Sequence, residues 1–355
     1  MVTIGMIGSH SAEEIAVSAK ANNYETLVFC QKGREKFYKH YNKHLYDHVL
    51  VLDNFQDILI KENQNRLKEL DTLIIPNRSL SVYLGYSELE KELNIPIYGN
   101  KNLFRIEDRN YEKDQYWLME QSGIRYPKRY SHDDIPGLAI VKIQQKNNPL
   151  ERAFFYVTSV DDLNQQAEEL ITKNIIDEDD YKKCIIEEFV LGPRFNANFQ
   201  AFGLTNYFDR FDFVGFDDRV QTNLGGLLNL PARDQLKFHI PLKNEEVGHK
   251  GVTMRESKKI LVYDAAELFL DGVEKFFPPK QIGLFALQGA LNEFSEFVVF
   301  DISPRVPGAP VLGATSPEMR RLSLKYKKNI ESPLDLCMLE IQTAIEHNCL
   351  GEITT

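Results

Sequence analysis

The amino-acid sequence predicts an α/β protein in which a parallel-sheet unit is followed by an α+β remainder. Three observations carry this reading. From residue 2 to about residue 100, short apolar runs alternate with amphipathic segments, the pattern of strands joined by helical crossovers. After Asn100 the strands become longer, alternating and phenylalanine-rich, and a boundary near residue 105 follows. The length of 355 residues, with 43% hydrophobic and 26% charged side chains, fits two or three structural units that share ample core.

Val2 to Ile7 opens the chain as a buried strand. Ala12, Ile15, Ala16 and Ala19 then recur at helical spacing, and Ser11 with Glu14 three residues on reads as a capping box. Further strands are expected at Thr26 to Phe29, Val49 to Leu52, Thr72 to Ile75 and Ile95 to Tyr98, with a helix at Asp57 to Leu70. In such a unit ligands gather at the carboxyl ends of the strands. A charged helix is expected from Asp108 to Gln121, stopped by Gly123, before strands at Leu138 to Ile143 and Ala153 to Thr158. Ser159 and Asp162 start a helix to about Thr172, and Cys184 to Val190 is the next strand. Alternation marks strands in Phe195 to Phe202 and Phe208 to Phe216. A long helix follows at Ser257 to Phe276, and Leu284 to Leu287 and Phe297 to Ile302 form the last pair.

The net charge of −10 excludes a broad basic surface for nucleic acid, whose affinity rests on Lys and Arg neutralising phosphates. A local cluster of cations for a small anion remains compatible with it. Cys30, Cys184, Cys337 and Cys349 are scattered without CxxC spacing, so neither a zinc ribbon nor a disulfide framework is indicated. The start of the chain lacks a signal-peptide pattern, and no run approaches the roughly 18 apolar residues of a membrane span. The expectation is a cytoplasmic protein with no membrane partner.

Gln288 and Asp301 each stand at the end of an apolar run, so two neighbouring strands can deliver two oxygen ligands to one place. Oxygen-only ligation suits a hard cation such as Mg²⁺ held mainly by nucleotide phosphates. Arg305, four residues beyond Asp301, is placed to meet a phosphate or a carboxylate. His10 follows the first strand, where a helix start presents free N–H groups to an anion. His40, His44 and His48 have helical spacing but read as a solvated face, adjacent Glu187 and Glu188 as solvent-facing carboxylates, and Phe199 to Phe216 as core.

Several segments recur, in this order, in ATP-grasp ligases: Gly123-Ile-Arg-Tyr-Pro127, the strand carrying Lys142, Ile186-Glu-Glu-Phe-Val-Leu-Gly192 and Phe300-Asp-Ile-Ser-Pro-Arg305. With Gly8-Ser-His-Ser11, Ile75-Pro-Asn-Arg-Ser79, Tyr98-Gly-Asn100, Asp218-Arg219 through Asn223, Pro231-Ala-Arg-Asp-Gln-Leu236 and Arg255-Glu-Ser257, the chain resembles the archaeal formate-dependent synthetases that formylate aminoimidazole-carboxamide ribonucleotide (AICAR) in purine biosynthesis. The resemblance implies a Rossmann-like N-terminal domain, residues 1–105, before a two-lobed α+β ATP-grasp module with lobes at 106–190 and 191–355. It implies an ATP-dependent ligase making formyl phosphate, with ATP, formate and AICAR as small-molecule partners, Mg²⁺ or Mn²⁺ as cofactor, and a homo-oligomeric state. Carried over by residue, His10, Ser79 and Asn223 meet the ribonucleotide. Lys142 binds ATP phosphates with Lys113 a second candidate, Glu187, Glu188 and Val190 meet adenine and ribose, Gln288 and Asp301 hold the metal, and Lys142 and Arg305 are catalytic.

The sequence departs from the family pattern around that site. The connection Gln144 to Arg152 contains no glycine where a glycine-rich phosphate loop is usual, and Pro149 removes a donor although Lys146 and Arg152 bring charge. Asp301 stands where Glu is usual, Arg219-Val-Gln-Thr precedes Asn223, and Gly308-Ala-Pro replaces Gly-Thr-Asn. These changes mark a divergent member. Its alternatives are a paralogue that binds a ribonucleotide without catalysis, and a ligase for another carboxylate or amine.

Overall fold

The computed structural model describes residues 2–9, 11–108, 111–143, 154–221, 230–238, 246–308, 313 and 316–355. Strands β1 (Thr3–Ile7), β2 (Glu25–Gln31), β3 (His48–Leu52) and β4 (Thr72–Ile74) form an all-parallel sheet in the order β3-β2-β1-β4. Every residue of β1 is buried, as a strand covered on both faces requires. The expected strand at Ile95–Tyr98 shrinks to two isolated bridges, Ile74 to Ile97 and Tyr98 to Thr354, and Pro96 has no N–H to continue the ladder with β4.

Three helix starts are corrected. Ser11 has a left-handed backbone (φ 64°) and donates its hydroxyl to the Pro307 carbonyl at 3.3 Å, so the expected capping box does not form. The helix expected over Asp57–Leu70 is split: a 3₁₀ turn, Phe55–Leu59, ends at extended Ile60, and the α-helix runs only Lys61–Glu69. The helix expected from Asp108 begins at Gln115. The Asp114 carboxylate accepts from the Tyr116 and Trp117 N–H groups, and Gly123 closes the helix in the left-handed region (φ 74°) that glycine enters without strain.

A small antiparallel sheet follows, of β5 (Arg129–Tyr130), β6 (Ala139–Lys142), β7 (Phe154–Val157) and β8 (Ile185–Glu188), ordered β5-β8-β6-β7. Its helix Val160–Thr172 is capped by Ser159, which accepts from the Asp162 N–H, as the sequence predicts. The last sheet holds β9 (Arg194–Ala201), β10 (Phe211–Gln221), β11 (Glu246–Val252), β12 (Gly283–Leu291) and β13 (Phe297–Ser303), all antiparallel, in the order β11-β10-β9-β12-β13. The sequence pattern does not predict β11.

The two faces of this five-stranded sheet differ in kind. Phe195, Phe199, Phe213, Phe216, Phe285 and Leu287 pack against Val262, Ala266, Phe269 and Val273 of the helix Glu256–Phe276. Fully burying each phenylalanine stabilises the fold by about 1.5–3 kcal/mol. Asn196, Asn198, Asp217, Gln288 and Ser303 lie buried on the opposite face. The C-terminal helix Pro333–Glu346 lies against the helix Ala12–Ala21 of the parallel unit, where Ser18 Oγ donates to Asp335 Oδ1 at 2.5 Å.

Candidate active site

Register builds the site's centre. Asp217 of β10 lies opposite Asn196 of β9, Asn196 opposite Gln288 of β12, and Gln288 opposite Asp301 of β13, so one cross-strand file carries four polar side chains. A register shift follows immediately, between Gln288 and Gly289, and bulges of this kind re-aim side chains. Position 289 must be glycine. A Cβ there would stand 2.4 Å from both a Phe297 ring carbon and the Val298 carbonyl. Gln288 Oε1 accepts from Arg219 Nη2 at 2.5 Å, and its amide nitrogen donates to Ser303 Oγ at 3.2 Å. Asp301 Oδ1 accepts from the Gln115 side chain at 3.0 Å, while Gln115 Oε1 accepts from the Ile302 N–H at 2.6 Å. The oxygen of Gln288 thus already faces a cation. Two facing oxygen donors fit a hard divalent ion whose other ligands come from phosphate and water.

Lys142 projects from β6 of the small sheet and forms an ion pair with Glu187 of the adjacent β8; their side chains are 13% and 2% exposed. Tyr116 completes a triangle: Lys142 Nζ donates to its hydroxyl at 2.9 Å, and that hydroxyl donates to Glu187 Oε2 at 2.6 Å. Gln115 and Tyr116, the first two residues of one helix, therefore tie Asp301 of the large sheet to Lys142 of the small one. Arg129 stacks over the Tyr116 ring at 4.3 Å.

A third cluster joins the parallel sheet to β13. Backbone pairing of Asn77 with Val306 brings the end of β4 beside Arg305. One oxygen, Glu107 Oε1, accepts from Arg305 Nη2 at 2.6 Å and lies 2.8 Å from Arg78 Nη1. Glu107 Oε2 and Arg305 Nε are buried and have no hydrogen-bond partner among the described residues. The Glu107 charge raises the Arg78 pKa. Burial lowers that of Arg305, offset in part by Glu107. Both guanidiniums stay charged at neutral pH, so two cations share one carboxylate and the cluster carries net positive charge.

The sequence-predicted residues divide as follows. Gln288 with Asp301, and Lys142 with Glu187, are brought together as described, and Arg305 is buried beside Glu107. Glu187 corrects the expectation of a solvent-facing carboxylate: it is 1% exposed, because Lys142 and Tyr116 enclose it. Glu188 is half-buried and its N–H donates to the Lys128 carbonyl, while Val190 packs with Ala290 and Val298. Ser79 is buried in the first turn of the helix Arg78–Leu84, its N–H donated to Asn77 Oδ1. Lys113 is exposed above the Trp117 ring. His40 and His44 are exposed and His48 faces Glu25, matching the solvated-face reading. His10, Asn223 and the connection 144–152 lie outside the described residues.

Sequence reasoning misses Tyr116, Gln115, Glu107, Arg78 and the buried pair of His249 with Asp217. The polar alternation Asn196, Asn198, Gln200 on β9 is the available signal for the polar face.

A family described as a domain of unknown function (DUF1297) matches residues 162–355, and a second, a protein of unknown function (DUF1246), matches residues 4–130. The 5-formaminoimidazole-4-carboxamide-1-β-D-ribofuranosyl 5′-monophosphate synthetase of Methanocaldococcus jannaschii is 32% identical over 308 residues, 86% of this chain and 83% of that one. This chain belongs to that synthetase family. The Methanothermobacter thermautotrophicus synthetase is 30% identical over 358 residues, covering 100% of this chain and 94% of its own. Among solved structures, the IMP biosynthesis protein PurP of Thermococcus kodakaraensis superposes with a TM-score of 0.73 at 22% identity, covering 99% of this chain and 100% of its own. N5-carboxyaminoimidazole synthetase of Staphylococcus aureus, complexed with ADP, gives 0.58 at 13% identity over 96% of this chain and 76% of its own. The synthetase fold is thus a Rossmann-like unit followed by an ATP-grasp module, as the sequence predicts.

Proposed function

We infer that this protein is an ATP- and formate-dependent ligase that formylates AICAR to the formamido ribonucleotide. The observation that carries the reading is that one helix start ties Asp301, which faces Gln288, to the Lys142–Tyr116–Glu187 triangle, while the Asp301 charge also reaches Arg78 and Arg305 of the cationic cluster. Family membership supports the substrate assignment.

In the proposed reaction a formate oxygen attacks the γ-phosphorus of ATP and ADP leaves, giving formyl phosphate. The exocyclic amine of AICAR then attacks the formyl carbon, and inorganic phosphate leaves with the C–O electron pair. Lys142 neutralises ATP phosphate charge, and Arg305, fixed by Glu107, meets the acyl phosphate. Glu188 and Val190 border the adenosine side, and His10, Ser79 and Asn223 hold the ribonucleotide. Gln288 and Asp301 would hold Mg²⁺ or Mn²⁺, which would supply charge neutralisation for the phosphates. Such sites act by positioning and preorganised charge. We further propose a cytoplasmic homo-oligomer, a state that the solution mass of the purified chain tests.

Coupled ADP release measured with Mg²⁺, formate and AICAR tests the assignment. With no substitute nucleophile added, sustained turnover should require both together. Turnover with another acid or amine would change the substrate, and ribonucleotide binding without turnover would leave a binding paralogue.

A further inference from the structure

Asp217 is fully buried on β10, and three donors converge on its carboxylate. Asn196 Nδ2 donates to Oδ2 and Asn198 Nδ2 to Oδ1, both at 2.7 Å, and His249 Nδ1 lies 2.6 Å from Oδ2. The His249 side chain is itself 4% exposed. A carboxylate only accepts, so the proton of this hydrogen bond sits on Nδ1, and Nε2 is the ring's basic nitrogen. Burying a carboxylate costs stability even when donors surround it, and apolar packing of the same volume would avoid that cost, so stability alone gives little reason for the pair.

Its location gives a better one. Asp217 stands in the same cross-strand file as Gln288 and Asp301. Arg219, opposite His249 in the β10–β11 ladder, reaches Gln288 Oε1. The pair therefore borders the proposed metal end of the polar face. Among the described residues of β10, the charged groups beside His249 are Asp217, at hydrogen-bond distance, and Arg219, its partner across the ladder. On its own strand, Lys250 turns to Asp218 at 3.1 Å.

We propose that His249, oriented by Asp217, is the general base of the second half-reaction; this rests on the formylation reading. As the amine nitrogen bonds to the formyl carbon, His249 Nε2 takes one N–H proton. The C–O bond to phosphate then breaks with its electron pair on the phosphate oxygen, and the imidazolium returns the proton to phosphate. Formate activation, which moves no amine proton, does not need this base.

The two half-reactions separate the possibilities. In the full-length protein, formyl phosphate made from ATP and formate is trapped with hydroxylamine, a strong nucleophile that needs no assisting base, and AICAR formylation is measured alongside. His249→Asn keeps a donor at the Nδ1 position and removes the base; Asp217→Asn removes the orienting carboxylate. In both variants hydroxamate formation should stay within about two-fold of wild type, while AICAR formylation falls about 10²- to 10⁴-fold. The acid limb of the wild-type formylation profile, where imidazole protonation silences the base, should vanish in His249→Asn. Equal loss of both half-reactions in His249→Asn and in the second variant His249→Gln would make the pair structural and overturn the proposal. Formylation held within a few-fold would overturn it too. Wild-type protein that yields no formate-dependent hydroxamate would instead overturn the formylation reading itself.

Discussion

The two faces of the five-stranded sheet are built from alternate residues of the same strands, yet they do different work. On one face Phe199 stacks on Phe285 at 5.1 Å, Phe195 stacks on Phe297 at 5.1 Å, and the helix Glu256–Phe276 closes over them. On the other, Asn196 donates to Asp217, Gln288 accepts from Arg219 of the same sheet, and Asp301 accepts from Gln115, which reaches it from outside. The difference shows how a period-two chain can keep stability and chemistry apart: shape complementarity fixes the strands from below, so the upper face can retain polar groups whose burial would otherwise cost stability.

That separation makes opposite predictions for the two faces. The largest effect should come from Phe285→Ala, which opens a cavity in the aromatic layer and should destabilise the chain by about 3–5 kcal/mol in denaturant unfolding. Its activity per folded molecule should change little. Asp301→Asn should do the reverse: the unfolding midpoint holds, while the rate falls about 10²- to 10³-fold and the Mg²⁺ requirement rises in steady-state assays. If Asp301→Asn unfolds the protein as badly as Phe285→Ala, the division between faces fails. Tyr116→Phe removes the hydroxyl between Lys142 and Glu187, a loss of about 1–2 kcal/mol that should appear as a roughly ten-fold rise in the KM for ATP.

The smallest effect tests a polar group outside the site. Glu340, enclosed by Tyr98 and the N–H groups of Gly203 and Leu204, has its pKa raised by burial above the ordinary 4.5. A raised folded-state value means that its contribution is complete below 4.5 and is lost as pH climbs through the raised value. Glu340→Gln should therefore be most favourable, relative to wild type, at neutral pH and least so near pH 4.5, a trend that thermal melts across pH would show.

Much of the fold is legible in the sequence, and what is not has physical causes. Buried parallel strands announce themselves as continuous apolar runs, so β1 to β4 can be placed from their residues alone. Gln288 and Asp301 stand out because each ends such a run, although only the strand register sets them opposite each other. Glu107 escapes notice because nothing local marks it: its meaning lies in Arg305, 198 residues away. His249 is hidden because β11 carries no strand signal, and Asp217 because the apolar alternation ends at Phe216, short of the residues that continue the polar face of β10. Ser11 misleads because a capping pattern in sequence does not fix the backbone angle that capping needs.

The central claim, that the polar face is built for formate activation and transfer to an amine, is tested most directly by following ¹³C-formate in the presence of ATP, Mg²⁺, AICAR and the purified protein. A ¹³C-formamido ribonucleotide should accumulate in step with ADP and disappear when either formate or the ribonucleotide is withheld. Protein that binds the ribonucleotide yet releases no ADP above the formate-free control, and incorporates no label, would contradict it.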